Sequence, residues 1–313
     1  MQRMLLATAC LMLAAFAPGC GAQHLARQIV EYNTRPGAVA EDLAGSAENL
    51  IKAGRIDLHR RCRTQDDINI DVWVVRAKQP PASTQGQMQS QGTVVILHGL
   101  AESKASFPYL GAAQRLARKG YDVVLPDLRA HGRSEGKYVT YGFKEKYDVK
   151  AVADALLAAG EVREPIYAFG ATLGGATAIQ YAAIDPRCKG VFAIAPYLDA
   201  RTIARRRLMM HNDKEFQAAF SSAGKLAGFD PQGASAVEAA KKLTVPLLLS
   251  HGMIDLTVPP EHSDAIYQAA GGPKKIIRVT PGPEQLAMFA VMEDWIADRM
   301  DELIKTGLKQ KQD

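Results

Sequence analysis

From residue 93 onward, short apolar runs alternate with longer segments whose apolar residues recur at helical spacing. The short runs fall at 94–97, 122–125, 166–169, 190–194, 246–250 and 275–279, each of strand length. Helical patterns lie near 108–119, 143–159, 173–183, 260–270 and 285–304. Strands apolar along their whole length, alternating with helices, predict a mainly parallel sheet covered on both faces. The fold class is therefore α/β. Between 197 and 243 the rhythm stops; helical patches surround Gly228-Phe229-Asp230-Pro231 with no strand candidate. That stretch reads as a helical cap inserted over the carboxyl ends of the strands, where such sheets bind ligands.

Upstream, 24–32 and 39–53 predict two helices separated by Arg35-Pro36-Gly37. Residues 56–63 and 68–75 alternate polar and apolar around Gln65-Asp66-Asp67, a hairpin pattern. The tract 79–93, QPPASTQGQMQSQGT, has nothing with which to bury a core and reads as a solvated loop.

The first residues have a different character. A short basic start, Met1-Gln2-Arg3, precedes an apolar run over 4–17 that is too short to span a bilayer. Ala17-Pro18-Gly19-Cys20 then resembles a bacterial lipobox, in which the cysteine is lipidated and becomes the new N-terminus. The expected organisation is a signal over 1–19, a helical extension over 20–54, and an α/β domain over 55–306 carrying the cap 197–243. Lipidated Cys20 would place the protein at a membrane of the cell envelope; a plain secretory signal or an uncleaved anchor is the alternative.

Composition changes this picture little. The chain is 47% hydrophobic and 23% charged, ordinary for a globular protein. The net charge of +5 is scattered apart from Arg205-Arg206-Arg207, which has no interleaved aromatics, so a nucleic-acid partner is not indicated. Outside the leader and Cys20 only Cys62 and Cys188 remain, too few for a disulfide framework. On the expected sheet they lie too far apart to bridge. No cofactor is expected, and nothing specifies an oligomer.

The most informative stretch is 165–183, PIYAFGATLGGATAIQYAA. A buried strand, a turn framed by Gly170 and Gly174, and an apolar helix form the setting of the nucleophile elbow, G-x-S-x-G. The central residue sits on a strained turn whose neighbours must have almost no side chain. Here the centre is Thr172. Three further pieces occur in register with it: VVILHGL at 94–100, LPDLRAHGRS at 125–134, and SHGMIDLTVP at 250–259.

Together these four motifs resemble the α/β-hydrolase superfamily, and most closely its monoglyceride-lipase and serine-aminopeptidase-like branch. The resemblance spans roughly 56–304. It implies acyl transfer to water by a nucleophile, a histidine base and an orienting acid. Thr172 matches the nucleophile position and Asp255 the acid position; a loop carboxylate capping the helix at Pro259 is the other reading of Asp255. The backbone N–H groups of Leu100 and Leu173 match the oxyanion donors. His98, His131 and His251 match structural positions that hydrogen-bond loop backbone, and Asp127 and Arg129 match residues that tie loops together.

The chain departs from the pattern twice. Gln285, in VTPGPEQL, occupies the histidine position, and no histidine follows His262. An amide cannot accept a proton near neutral pH. Threonine is β-branched, a steric outlier at the positive φ that elbows adopt. One reading is a hydrolase-lineage protein, impaired in turnover, that keeps a pocket for a small acyl ligand. The other is a working hydrolase of acyl esters or amides that uses Thr172 with a base from elsewhere, such as Glu284 or His211. For the cap, a purely conformational role stands beside recruitment of an anionic group, such as a lipid headgroup, by Arg201 and Arg205–Arg207.

Overall fold

A computed structural model describes residues 20–32, 35–78, 90–280 and 291–308. Its centre is an eight-stranded sheet. The strands are β1 (Leu58–Arg63), β2 (Asn69–Val75), β3 (Thr93–Leu97), β4 (Asp122–Pro126), β5 (Ile166–Ala171), β6 (Cys188–Ile194), β7 (Leu247–Gly252) and β8 (Lys274–Val279). The order is β1-β2-β4-β3-β5-β6-β7-β8; β2 pairs antiparallel with β1 and β4, and all other neighbours are parallel.

Burial follows from this order. Every residue of β3 and β4 is buried, which is why they read as unbroken apolar runs. At one edge β1 exposes Arg60, Arg61 and Arg63, and the charged rim discourages pairing with another chain. The β1–β2 hairpin forms as predicted, with Asp67 in the left-handed region at φ 71°. Cys62 on β1 and Cys188 on β6 are both buried and free, with four strands between them, as expected.

Helices cover both faces. On one, α4 (Tyr109–Arg118) packs with the last helix, α11 (Met292–Thr306), around Phe169, Phe192 and Leu248. On the other, α5 (Glu145–Ala158), α6 (Leu173–Ala182), α9 (Ala236–Ala240) and α10 (Glu261–Ala269) enclose the larger core. The cap lies between β6 and α9 and is helical, as its pattern predicted. It contains α7 (Ala200–Arg207), capped by Asp199 accepting from the Thr202 N–H, and α8 (Asp213–Ala227), closed by Gly228 at φ 63°. A bridge between Asp199 and Ser235 pinches the base of this excursion.

The N-terminal segment departs from its predicted bounds. The first helix, α1, runs Cys20–Val30 and packs on α8 of the cap, burying Ala26, Ile29 and Val30. Arg35-Pro36-Gly37 is the first turn of α2 (Arg35–Ala44) and not the break itself, since proline has no N–H to lose there. Gly37 is required by close approach: a Cβ there would lie 2.5 Å from the Glu102 carbonyl oxygen. The predicted helix over 39–53 is two helices. Gly45, at φ 90°, ends α2, and Ser46 caps α3 (Ala47–Lys52) by accepting from the Asn49 N–H. Most of the 79–93 tract and the start of the predicted 285–304 helix lie outside the described residues.

Candidate active site

The elbow is built by backbone collision. A Cβ on Gly170 would stand 2.3 Å from the Gly174 carbonyl, and one on Gly174 would stand 2.1 Å from the Leu97 carbonyl oxygen. Nothing larger than glycine fits at position 170 or 174. Thr172 itself, where β5 turns into α6, adopts φ 46° and ψ −106°. A β-branched residue there stores roughly 1–3 kcal/mol of strain. The surroundings hold it: its N–H donates to the Ile194 carbonyl on β6, and its carbonyl accepts from the Ala176 N–H.

Thr172 opens into a cavity of about 640 Å³ between the strand ends and the cap. Leu100 and Leu173 line it beside Thr172. Neither leucine N–H donates a hydrogen bond among the described residues, so both expected oxyanion donors are available. The Thr172 hydroxyl abuts Gly99, where a Cβ would come within 2.8 Å of Oγ1. Glu102 also lines the cavity; its Oε2 accepts from the Gly99 N–H at 2.7 Å and from the Tyr109 hydroxyl at 2.5 Å. Tyr141 and Tyr197 form another wall, their rings edge to face at 6.0 Å. The Tyr197 hydroxyl is buried without a hydrogen-bond partner among the described residues.

The structural histidines behave as expected. His98 Nε2 accepts from the Leu128 N–H while Nδ1 donates to the Gly99 carbonyl. His131 bridges the Ala101 N–H and the Arg129 carbonyl. His251 donates from Nε2 to the Val258 carbonyl and accepts at Nδ1 from Ser263. Burial lowers the basicity of all three. Asp127 accepts from the N–H groups of Lys104 and Arg133, and Arg129 joins Asp66 to Asp148, so both tie loops together as expected.

All seven histidines lie in described segments, and none lines the cavity around Thr172. His211 is exposed and borders, with Arg201 and His262, an adjoining groove that shares Arg206 and Met209 with the cavity. Asp255 Oδ1 accepts from the N–H groups of Thr257 and Val258, and Oδ2 stands 3.6 Å from His251 Nε2. It fixes the turn that carries Leu256, Thr257 and Val258 into the cavity wall. Gln285 and Glu284 lie outside the described residues.

Sequence reasoning missed Glu102, Tyr141 and Tyr197. Only Glu102 left a trace, as a carboxylate placed to accept the N–H three residues before it. The described residues hold no cluster of three or more histidines, cysteines or carboxylates suited to a metal ion.

Sheet order, glycine-framed elbow and cavity at the strand ends define an α/β-hydrolase fold. The family model of serine aminopeptidase, S33 (Hydrolase_4), matches residues 88–224. The uncharacterized protein YqkD of Bacillus subtilis (strain 168) is 28% identical over 193 residues, a match covering 59% of this chain and 62% of that relative. The uncharacterized protein YfhR of Escherichia coli (strain K12) is 23% identical over 249 residues, covering 78% and 79% of the two chains. Among solved structures, the esterase Pf2001 of Pyrococcus furiosus aligns with a TM-score of 0.61 at 20% identity, covering 82% of this chain and 95% of that one. Ferulic-acid-bound Est1E of Butyrivibrio proteoclasticus aligns with a TM-score of 0.59 at 17% identity, covering 79% and 99%.

Proposed function

We propose that this chain is an exported protein of acyl ester or amide hydrolase lineage that binds a small acyl ligand beside Thr172 and turns it over poorly or not at all. One observation carries the reading: a strained threonine occupies the nucleophile position, and none of the seven histidines lines its cavity. Without a proton acceptor the threonine hydroxyl stays a weak nucleophile, and its extra methyl crowds the line of attack. Gln285 at the histidine position supports the same reading from the sequence. The oxyanion donors at Leu100 and Leu173 are backbone groups, so the pocket outlives the loss of side-chain chemistry. Lipidation at Cys20 would hold the protein on a membrane of the cell envelope.

The test is turnover. Purified protein is expected to give no hydrolysis of p-nitrophenyl acetate or butyrate beyond a weak background, and no labelling by a fluorophosphonate. Efficient ester hydrolysis that Thr172→Ala abolishes would overturn the proposal.

A further inference from the structure

Two guanidinium groups reach the cavity from α7, those of Arg206 and Arg207, and neither has a carboxylate partner among the described residues. Several other arginines of the chain pair with carboxylates. Arg205 pairs with Asp213 at 2.6 Å, Arg129 with Asp66 and Asp148, and Arg187 with Asp154 and Asp185. Arg206 instead donates to the Leu256 carbonyl at 2.8 Å. Arg207 donates from Nη2 to the carbonyls of Gln28 and Ile29 at the end of α1, and its guanidinium stacks 3.9 Å from the Tyr32 ring centroid.

A simple helix cap would account for the Nη2 contacts of Arg207. It does not account for Nε and Nη1, which donate to nothing among the described residues, out of five N–H donors in the group. Nor does it explain why a cation lines a cavity that also presents Leu100, Leu173, Ile203, Leu256 and Val258. Burial there pushes the Arg207 pKa down to about 10, and the side chain remains charged at neutral pH. Glu102, the one carboxylate lining the cavity among the described residues, is engaged by Gly99 and Tyr109. Among the described residues the lining therefore carries two cations against one anion. The buried Tyr197 hydroxyl adds a donor that lacks an acceptor.

We propose that the cavity takes an acyl ligand bearing an anionic group, a carboxylate, held at the α7 wall by Arg207 and Arg206. This rests on the reading that the cavity binds acyl ligands. The apolar wall takes the chain of the ligand, and the planar guanidinium of Arg207 presents two free N–H directions to a carboxylate. Such a ligand removes the unpaired charge from the wall, which a neutral ester cannot do.

The experiment compares monomethyl suberate, one end ester and one end carboxylate, with dimethyl suberate, which is neutral, by titration calorimetry on the full chain. The half ester is expected to bind about tenfold more tightly, one charge-assisted contact being worth that much. In Arg207→Gln and in Arg206→Gln the ratio of the two affinities falls toward one, and Arg207→Lys restores part of it. Arg206 is exposed, so its variant reads the charge without disturbing α1. Equal binding of the two esters to wild type overturns this inference and leaves the acyl-binding reading standing. Binding of neither ester removes that reading and the inference with it. A charge preference seen only with phosphatidylglycerol vesicles, and not with the soluble half ester, also overturns it.

Discussion

Lys104 Nζ stands 2.8 Å from Glu41 Oε1, with both side chains shut away from solvent. Sixty-three residues separate them, and their contact fastens α2 to the loop after β3. The same ammonium meets Asp71 at 2.9 Å and Asp127, and lies 4.6 Å from the Trp73 ring centroid. Three carboxylates thus share one buried lysine. Burial, and then the charge of Asp127, raise the pKa of Glu41. Arg133 approaches Glu41 from the surface, and His59 and Arg61 approach Asp71.

Removing the shared cation should cost far more than neutralising one anion. Lys104→Met is expected to destabilise by roughly 3–5 kcal/mol, because it strands buried charge. Glu41→Gln is expected to cost less, about 1 kcal/mol, since the amide oxygen can still accept from Lys104. Urea unfolding of the two variants checks the order; equal losses would mean that the cluster is not coupled through Lys104.

At the elbow, reversion should be strongly non-additive. Thr172→Ser alone leaves the new serine without a base, and Gln285→His alone leaves a crowded threonine. Each should raise ester hydrolysis by less than about tenfold, while the pair gains orders of magnitude, because triad members act as a unit. Adding Asp255→Asn should remove the gain. Initial rates on p-nitrophenyl butyrate decide it. If the pair is no better than the product of the singles, either Asp255 or residue 285 does not face residue 172.

Stability should have a plateau with a slope on either side. Burial lowers the pKa of His98, His131, His251 and His262, so they contribute stability above the unfolded value of about 6.5 that is lost as pH falls through their folded values. Burial raises Cys62 to about 11 and Cys188 to about 12, and moves Tyr121, Tyr141 and Tyr181 upward. Their contribution is complete below the unfolded thiol value near 8.5 and is lost as pH rises toward the folded ones. Urea midpoints should therefore be highest between about pH 6.5 and 8.5. Iodoacetamide at pH 8 should leave Cys62 and Cys188 unmodified until denaturant is added, as read by peptide mass spectrometry.

Localisation is testable at one residue. Wild-type protein is expected in the membrane fraction and Cys20→Ala in the soluble exported or unprocessed fractions, since acyl chains supply the anchor. Wild-type protein that is already soluble after export would end the lipoprotein proposal. Among the described residues no helix is long and apolar enough to cross a membrane.

What could be read from the chain follows from the range of the forces involved. Strands β3 to β7 are buried on two faces, so their apolar runs identified them without tertiary information. The elbow was legible because glycine at 170 and 174 is imposed by collisions within a few residues and with one neighbouring strand. The split between α2 and α3 was hidden because Gly45 is tolerated within a helical pattern until packing decides otherwise. The cavity wall was the least legible part. Arg207 meets Tyr32 only because the α1 segment lies on the cap, a contact between segments nearly two hundred residues apart.

That contact also makes α1 a rod rather than a leash. It runs unbroken from Cys20 to Val30, roughly 15 Å at 1.5 Å per residue, and its far end is gripped by Arg207 at the edge of the cavity. A flexible linker would let the domain tumble about its attachment. A packed helix transmits orientation as well as distance. Whatever holds residue 20 therefore sets which way the mouth of the cavity faces.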